Sequence, residues 1–115
     1  MALALELPFP PSVNHYWRRV GFRTLISREG RRFRERVVAI LVASHIQPLT
    51  GRLAVELDLY PPDHRRRDLD NLPKAVLDAL QHGGAYLDDS QIIRLTLQKL
   101  APVPHGKTIV RIEMM

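Results

Sequence analysis

The densest polar stretch of the chain is Arg65-Arg66-Arg67-Asp68-Leu69-Asp70-Asn71-Leu72-Pro73-Lys74, and a second acidic pair, Asp88-Asp89, follows downstream. In extended backbone, side chains two residues apart point the same way, so Asp68 and Asp70 are expected to converge while Leu69 turns toward the core. Unpaired carboxylates at short range repel, and one takes up a proton unless a cation intervenes, which makes a shared divalent ion the natural counter-charge. Oxygen donors without a histidine or cysteine nearby in sequence favour Mg2+, with Mn2+ as substitute, over zinc. Asp89 is expected to join them when the chain returns. Phosphodiester hydrolysis near neutral pH needs metal-generated hydroxide and stabilisation of the pentacovalent charge, and three carboxylates suffice for that design. Lys74 lies one helical turn beyond Asp70 and faces the same side, placed to pair with a phosphate or polarise the attacking water. Arg65, Arg66 and Arg67 would hold a phosphate backbone, with helix N-terminal amides adding donors.

Each segment also has an ordinary structural reading. Asp70 or Asn71 suits a helix cap, Asp88-Asp89-Ser90 suits a turn, and Lys74 alone suits a solvated surface. The histidines at 15, 45, 64, 82 and 105 are scattered without metal-ligand spacing. No nucleophile elbow, phosphate-binding glycine loop or dinucleotide fingerprint is present, so no organic cofactor is expected.

The charge balance points to a polyanion. Net charge is +5, with 17 basic against 12 acidic residues, and all but three of the basic residues are arginine, whose planar fork of donors matches phosphate oxygens. Between Arg18 and Arg36 the arginines outnumber the glutamates by six, more than the net charge of the whole chain, so one region carries the field. Without cysteine there is no disulfide and no thiolate metal site, which suits a reducing cytoplasm. No apolar run is long enough to cross a bilayer, and a cytoplasmic, nucleoid-associated protein with no membrane partner is expected.

The elements that must position these residues follow from periodicity. With 115 residues the chain is expected to be one domain, 1–115. Leu3, Leu5 and Leu7 alternate as a strand ended by Pro8, Pro10 and Pro11. Pro10 to Arg19 reads as a surface loop in which Asn14, Tyr16, Trp17, Arg18 and Arg19 could stack on bases and hold phosphates, with Trp17 favoured over Tyr16 to pack back on the core. Ser27 caps a helix to about Ser44, with Phe33, Val37, Ile40 and Leu41 on one face and arginines on the other. Leu53, Val55, Leu57 and Leu59 alternate in the clearest strand. A second helix is expected from about Asp70 to Gln81, stopped by Gly83 and Gly84, with Pro73 in its first turn. Ile93, Leu95 and Leu97, then Val110, Ile112 and Met114, mark two strands expected to form a hairpin through Pro102 to Lys107. The resulting β-α-β-α-β-β order predicts an α+β fold, a two-layer sandwich of a mixed sheet with two main helices.

Three segments together resemble the RusA family of Holliday junction resolvases, small phage and prophage endonucleases: Leu7-Pro8-Phe9-Pro10-Pro11-Ser12-Val13-Asn14, the Arg65 to Lys74 stretch, and Leu87-Asp88-Asp89-Ser90-Gln91-Ile92. They occur in the family's order and spacing and cover nearly the whole chain. The resemblance implies a homodimer that makes paired nicks in four-way DNA junctions during recombination and repair, with Mg2+ or Mn2+. It also implies that Asp68, Asp70 and Asp89 are the metal-binding catalytic carboxylates, that Lys74 is the essential lysine, and that Asp88 is a less critical partner. Asn14 and Asn71 fall on recurring family positions with a supporting role. Arg18 lies in the least family-like part, between Arg18 and Arg28. The alternatives are a non-catalytic basic nucleic-acid-binding module, with the aspartates only as caps, and a flap or single-strand nuclease on the same fold.

Overall fold

The strictly alternating segment Leu53–Tyr60 (β4) forms the centre of the sheet because its inward residues Leu53, Val55, Leu57 and Leu59 are all buried, while Glu56 on the other face is exposed. The computed structural model describes residues 2–115. Around β4 the sheet runs in the order β1-β6-β4-β5, with β1 at Ala2–Leu7, β5 at Ile92–Lys99 and β6 at Lys107–Met114. β6 is antiparallel to both its neighbours, and β5 is parallel to β4. Two helices, Arg28–Ala43 (α2) and Pro73–His82 (α3), cover one face, where Phe33, Val37, Leu41, Val76 and Leu80 meet Leu57, Val110 and Ile112. The opposite face is polar, and Arg111 bridges Glu56 and Asp58 across the strands there. This is the expected two-layer α+β architecture with a mixed sheet.

The expected hairpin between the last two strands does not form. The crossover β4–α3–β5 sets β5 alongside β4 as a parallel edge strand, and β6 instead crosses to fill the slot between β1 and β4. Burial explains the choice. Thr108, Val110 and Ile112 of β6 are all 0% exposed, whereas Ile93 and Leu95 of β5 remain 45% and 39% exposed. The strand with the more completely buried inner row takes the interior position, which periodicity alone does not decide.

The segment expected to be a loop is structured. Val13–Tyr16 is one helical turn (α1), and Trp17–Val20 (β2) pairs antiparallel with Arg23–Ile26 (β3) as a separate two-stranded hairpin. Alternation was hidden there by arginine on exposed strand positions. Tyr16, not Trp17, is the fully buried aromatic, and the two rings meet edge to face at 4.9 Å. Ser27 closes this unit. Its backbone N–H donates to the Tyr16 carbonyl at 2.9 Å, and its side chain accepts from the Gly30 N–H at 2.9 Å as the α2 N-cap.

Gly30 is glycine because α1 lies against α2 at that point: a Cβ would stand 2.4 Å from the Tyr16 carbonyl oxygen. Helix propensity alone would make Gly30→Ala stabilising by about 1 kcal/mol. The clash with backbone reverses the sign, and the variant is expected to lose about 1–3 kcal/mol. Urea unfolding checks this; a midpoint that rises shows that α1 and α2 are not in close contact.

Candidate active site

Pro73 occupies the first position of α3, where its missing N–H costs nothing, so the helix begins three residues later than expected from Asp70. Ala75, Val76, Ala79 and Leu80 turn to the core. Lys74 and Asp78, four residues apart, share an outer flank. Asp78 sits between helices: its carboxylate accepts from the Tyr16 hydroxyl of α1 and, at 2.8 Å, from the Arg34 guanidinium of α2. Burial, reinforced by the hydrogen bond to Asp78, pushes the Tyr16 phenol up to about 12, so it stays a neutral donor.

Asp88 and Asp89 have different fates. The Asp88 side chain accepts from the Ser90 N–H at 2.8 Å and caps a short 3-10 turn, Asp89–Gln91, while the Gln91 side chain reaches back to the Asp88 N–H at 3.0 Å. These amide bonds hold the Asp88 carboxyl below its ordinary range. Gln91 also donates to the carbonyls of Leu49 and Gly51, which anchors the turn to the preceding loop. Asp89 is half-buried against α3. Its N–H donates to the Gln81 side chain at 2.8 Å, and its Oδ1 lies 2.9 Å from the Tyr86 hydroxyl. That hydroxyl also stands 2.7 Å from the Leu77 carbonyl, so a single proton faces two acceptors. Desolvation raises the Asp89 carboxyl above its usual range; the Tyr86 hydrogen bond and the Lys74 charge oppose the rise, and Asp78 and Asp88 add to it.

Asp68 and Asp70 do not lie along one face of an extended strand. Leu69–Asn71 winds into a 3-10 turn, so the two-residue alternation fails after Asp68, although Leu69 still packs against the core. Neither the turn nor α3 has a side-chain cap at its N-terminus, so the capping role open to Asp68, Asp70 or Asn71 is not used there. The arginines upstream do not neutralise them either. Arg65 and Arg67 both bind Asp63, at 3.1 and 2.8 Å, and Arg67 also lies over the Phe9 ring at 5.4 Å. The Asp63 carboxyl is accordingly held far below the usual carboxylate range, first by the Arg67 hydrogen bond. Among the described residues, Asp68, Asp70 and Asp89 take part in no ion pair. Asp68 and Asn71 line a cleft of about 600 Å³ together with Asn14, His15, Glu29 and Arg65 to Arg67.

Of the expected site residues, Asn14, Arg65, Arg66, Arg67, Asp68 and Asn71 share the cleft, Lys74 and Asp89 interact across the flank of α3, and Asp70 is exposed on its 3-10 turn, outside the cleft lining. Both 3-10 turns pack on α3, which makes that helix their common platform. Arg18 is exposed on β2 and does not line the cleft. Among the described residues no three carboxylate or imidazole side chains are gathered closely enough to hold a metal. The donor chemistry nonetheless suits a hard divalent cation, because Asp68, Asp70 and Asp89, none of them in an ion pair among the described residues, offer only oxygen ligands. Asp78, Gln81, Tyr86 and Glu29 are absent from the expectation drawn from sequence. The spacing of Lys74, Asp78 and Gln81 at i, i+4 and i+7 was a readable signal for a shared helix flank; nothing local marked Tyr86 or Glu29.

Residues 8–114 match the family described as Endodeoxyribonuclease RusA. The chain is 42% identical over 103 residues to the crossover junction endodeoxyribonuclease rusA of Enterobacteria phage 82, covering 89% of this chain and 85% of that protein. It is 39% identical over 104 residues to the crossover junction endodeoxyribonuclease RusA of Escherichia coli strain K12, covering 90% and 86%. To the protein of the same name from Enterobacteria phage HK97 it is 39% identical over 107 residues, covering 92% and 89%.

The charge of Lys74 and the hydroxyl of Tyr86 both lower the Asp89 carboxyl, against a larger desolvation effect. In Lys74→Met, and separately in Tyr86→Phe, Asp89 is expected to titrate at higher pH than in the parent, read by carboxyl-carbon NMR without divalent ions. A midpoint that stays put in Lys74→Met places the ammonium group too far away to act on Asp89.

Proposed function

The chain belongs to the RusA family of endodeoxyribonucleases, and from that premise we propose that it is a Holliday junction resolvase, a metal-dependent homodimer that nicks four-way DNA junctions. The observation that carries the reading is the pair Asp68 and Asp70, exposed at the entrance to α3 and without an ion-pair partner although three arginines immediately precede them. Leaving carboxylates uncompensated beside an arginine-lined cleft favours a site that takes both a cation and a phosphate.

Asp68, Asp70 and Asp89 would hold Mg2+, with Mn2+ able to replace it, once drawn together, because in the free chain they are not gathered around one point. The chemistry such an ion supplies when bound is activation of water near neutral pH and neutralisation of charge at the phosphate. Lys74, whose charge acts on Asp89, would serve as a cation for the phosphate oxygens. Arg66, exposed, is free to bind the DNA backbone, and Arg65, although paired with Asp63, keeps 81% of its side chain accessible for the same contact, whereas Arg67 orders the loop through Asp63 and Phe9. Asn14 and Asn71, which both line the cleft, would supply neutral polar contacts. Paired nicks need two sites, and the unpaired edge of β5, with Ile93 and Leu95 partly exposed, is an apolar surface suited to a second copy.

Asp70→Asn is expected to fold normally and to lose about a hundredfold or more of Mg2+-dependent cleavage of a four-way junction. Cleavage at the parental rate would overturn the reading, and tight junction binding by a parent that never cuts would favour the basic binding module. A panel of flap and single-stranded substrates separates the remaining alternative. Mg2+ alone is expected to raise the melting temperature of the parent and not of Asp70→Asn, because an ion that binds only the folded chain stabilises it.

A further inference from the structure

Phe22 is the most exposed large apolar side chain among the described residues, at 103% of its reference surface, and it crowns the turn between β2 and β3. Gly21, with φ at +61°, makes that turn possible by entering the left-handed region. The hairpin is held firmly at its other end. Trp17 and Ile26 pair at its base and pack against the core, the Ser27 N–H closes onto the Tyr16 carbonyl, and the Tyr16 hydroxyl is tied to Asp78 on α3. Two four-residue strands carry the tip roughly 13 Å beyond that anchor. Along the way Arg18, Arg19 and Arg23 are exposed, and residues 17–26 contain no acidic side chain.

A solvated aromatic at the end of an arm whose only charged side chains are arginines has a chemistry that fits one partner. Arginines on both strands match a pair of phosphate backbones, and the ring between them has the shape and polarity of the apolar wedges that separate stacked bases. We propose that Phe22 is a wedge inserted between base pairs at the branch point of a DNA junction, with Arg18, Arg19 and Arg23 gripping the flanking phosphates. The wedge rests on the resolvase reading and extends it: the arm selects branched DNA, where stacking is already interrupted and insertion costs least. Because the arm grows from the element bound to Asp78, the wedge and the Lys74–Asp89 flank keep a fixed separation, and a seated wedge sets which phosphate reaches the carboxylates.

The test uses the full-length protein and a four-way junction carrying 2-aminopurine beside the branch point, with Ca2+ replacing Mg2+ for the binding measurements. The parent is expected to raise the fluorescence as the base is unstacked. Phe22→Ala, whose missing ring touches nothing in the free protein, is expected to keep the parental melting temperature and linear-duplex affinity, to lose the fluorescence rise, and to bind the junction about tenfold more weakly. Phe22→Leu keeps an apolar wedge and is expected to retain most of the rise. A parental rise in Phe22→Ala overturns the proposal. So does an equal loss of affinity for linear and branched DNA, or a change in sedimentation that makes the tip a contact between protein copies. A parent that neither prefers nor cuts the junction removes the resolvase reading along with the wedge; a parent that does both, with Phe22→Ala identical to it, removes the wedge alone.

Discussion

One carboxylate, Asp78, holds together the three elements on which the site depends. It belongs to α3, it receives the Tyr16 hydroxyl from α1, and it pairs with Arg34 from α2 at 2.8 Å. Arg34 and Asp78 keep only 21% and 23% of their side-chain surface, so the pair is largely withdrawn from water. Such a pair adds little net stability compared with apolar packing, but losing either partner strands a charge in a poorly solvated place. Its value is directional. With the rotation of α3 set by this contact, Lys74 is kept on the flank from which its charge acts on Asp89, and the base of the β2–β3 hairpin is fixed with respect to the same helix.

Around this fixed helix the charges are kept apart rather than paired off. Arg65 and Arg67 are drawn to Asp63 at the far end of their loop, and Arg34 is drawn to Asp78. The aspartates at 68, 70 and 89 are left without ion-pair partners among the described residues, while Arg18, Arg19, Arg23, Arg28, Arg31, Arg32 and Arg36 face solvent. A protein concerned only with its own stability would gain by letting these groups meet. Separation leaves a negative focus able to attract a cation and a positive surround able to attract a polyanion, and each would lower the cost of binding the other.

The sheet contributes support and an edge. Its inner face, closed by α2 and α3, supplies the stiffness that a site on two short 3-10 turns could not provide alone. Its parallel edge strand starts directly after the turn that carries Asp89, so the register of β5 against β4 fixes where that turn begins. Gln91 ties the same turn to the carbonyls of Leu49 and Gly51, so Asp89 is braced from both the helix side and the loop side.

Much of this was legible in the residues themselves. Periodicity 2 in Leu53 to Leu59 and in Val110 to Met114, the Ser27 cap, the place of Pro73 in a first helical turn and the Gly83 stop are local signals, each a property of a few adjacent residues, and each reappears in the fold. The chemical types needed for metal and phosphate, and the order of the acidic segments, were equally visible. Other features depended on what lay across the structure. Which strand became an edge was settled by competition for burial between β5 and β6, and the hairpin escaped notice because arginines occupy its exposed positions. That Asp88 caps a turn while its neighbour Asp89 is desolvated against α3 was a question of which side of the turn the helix covers, since adjacent residues carry the same chemistry until a neighbour removes water from one of them. Sequence determines the kinds of groups and the local geometry each favours; tertiary structure alone decides which groups lose solvent and which remote partner they meet, because dielectric environment and long-range contact are properties of packing.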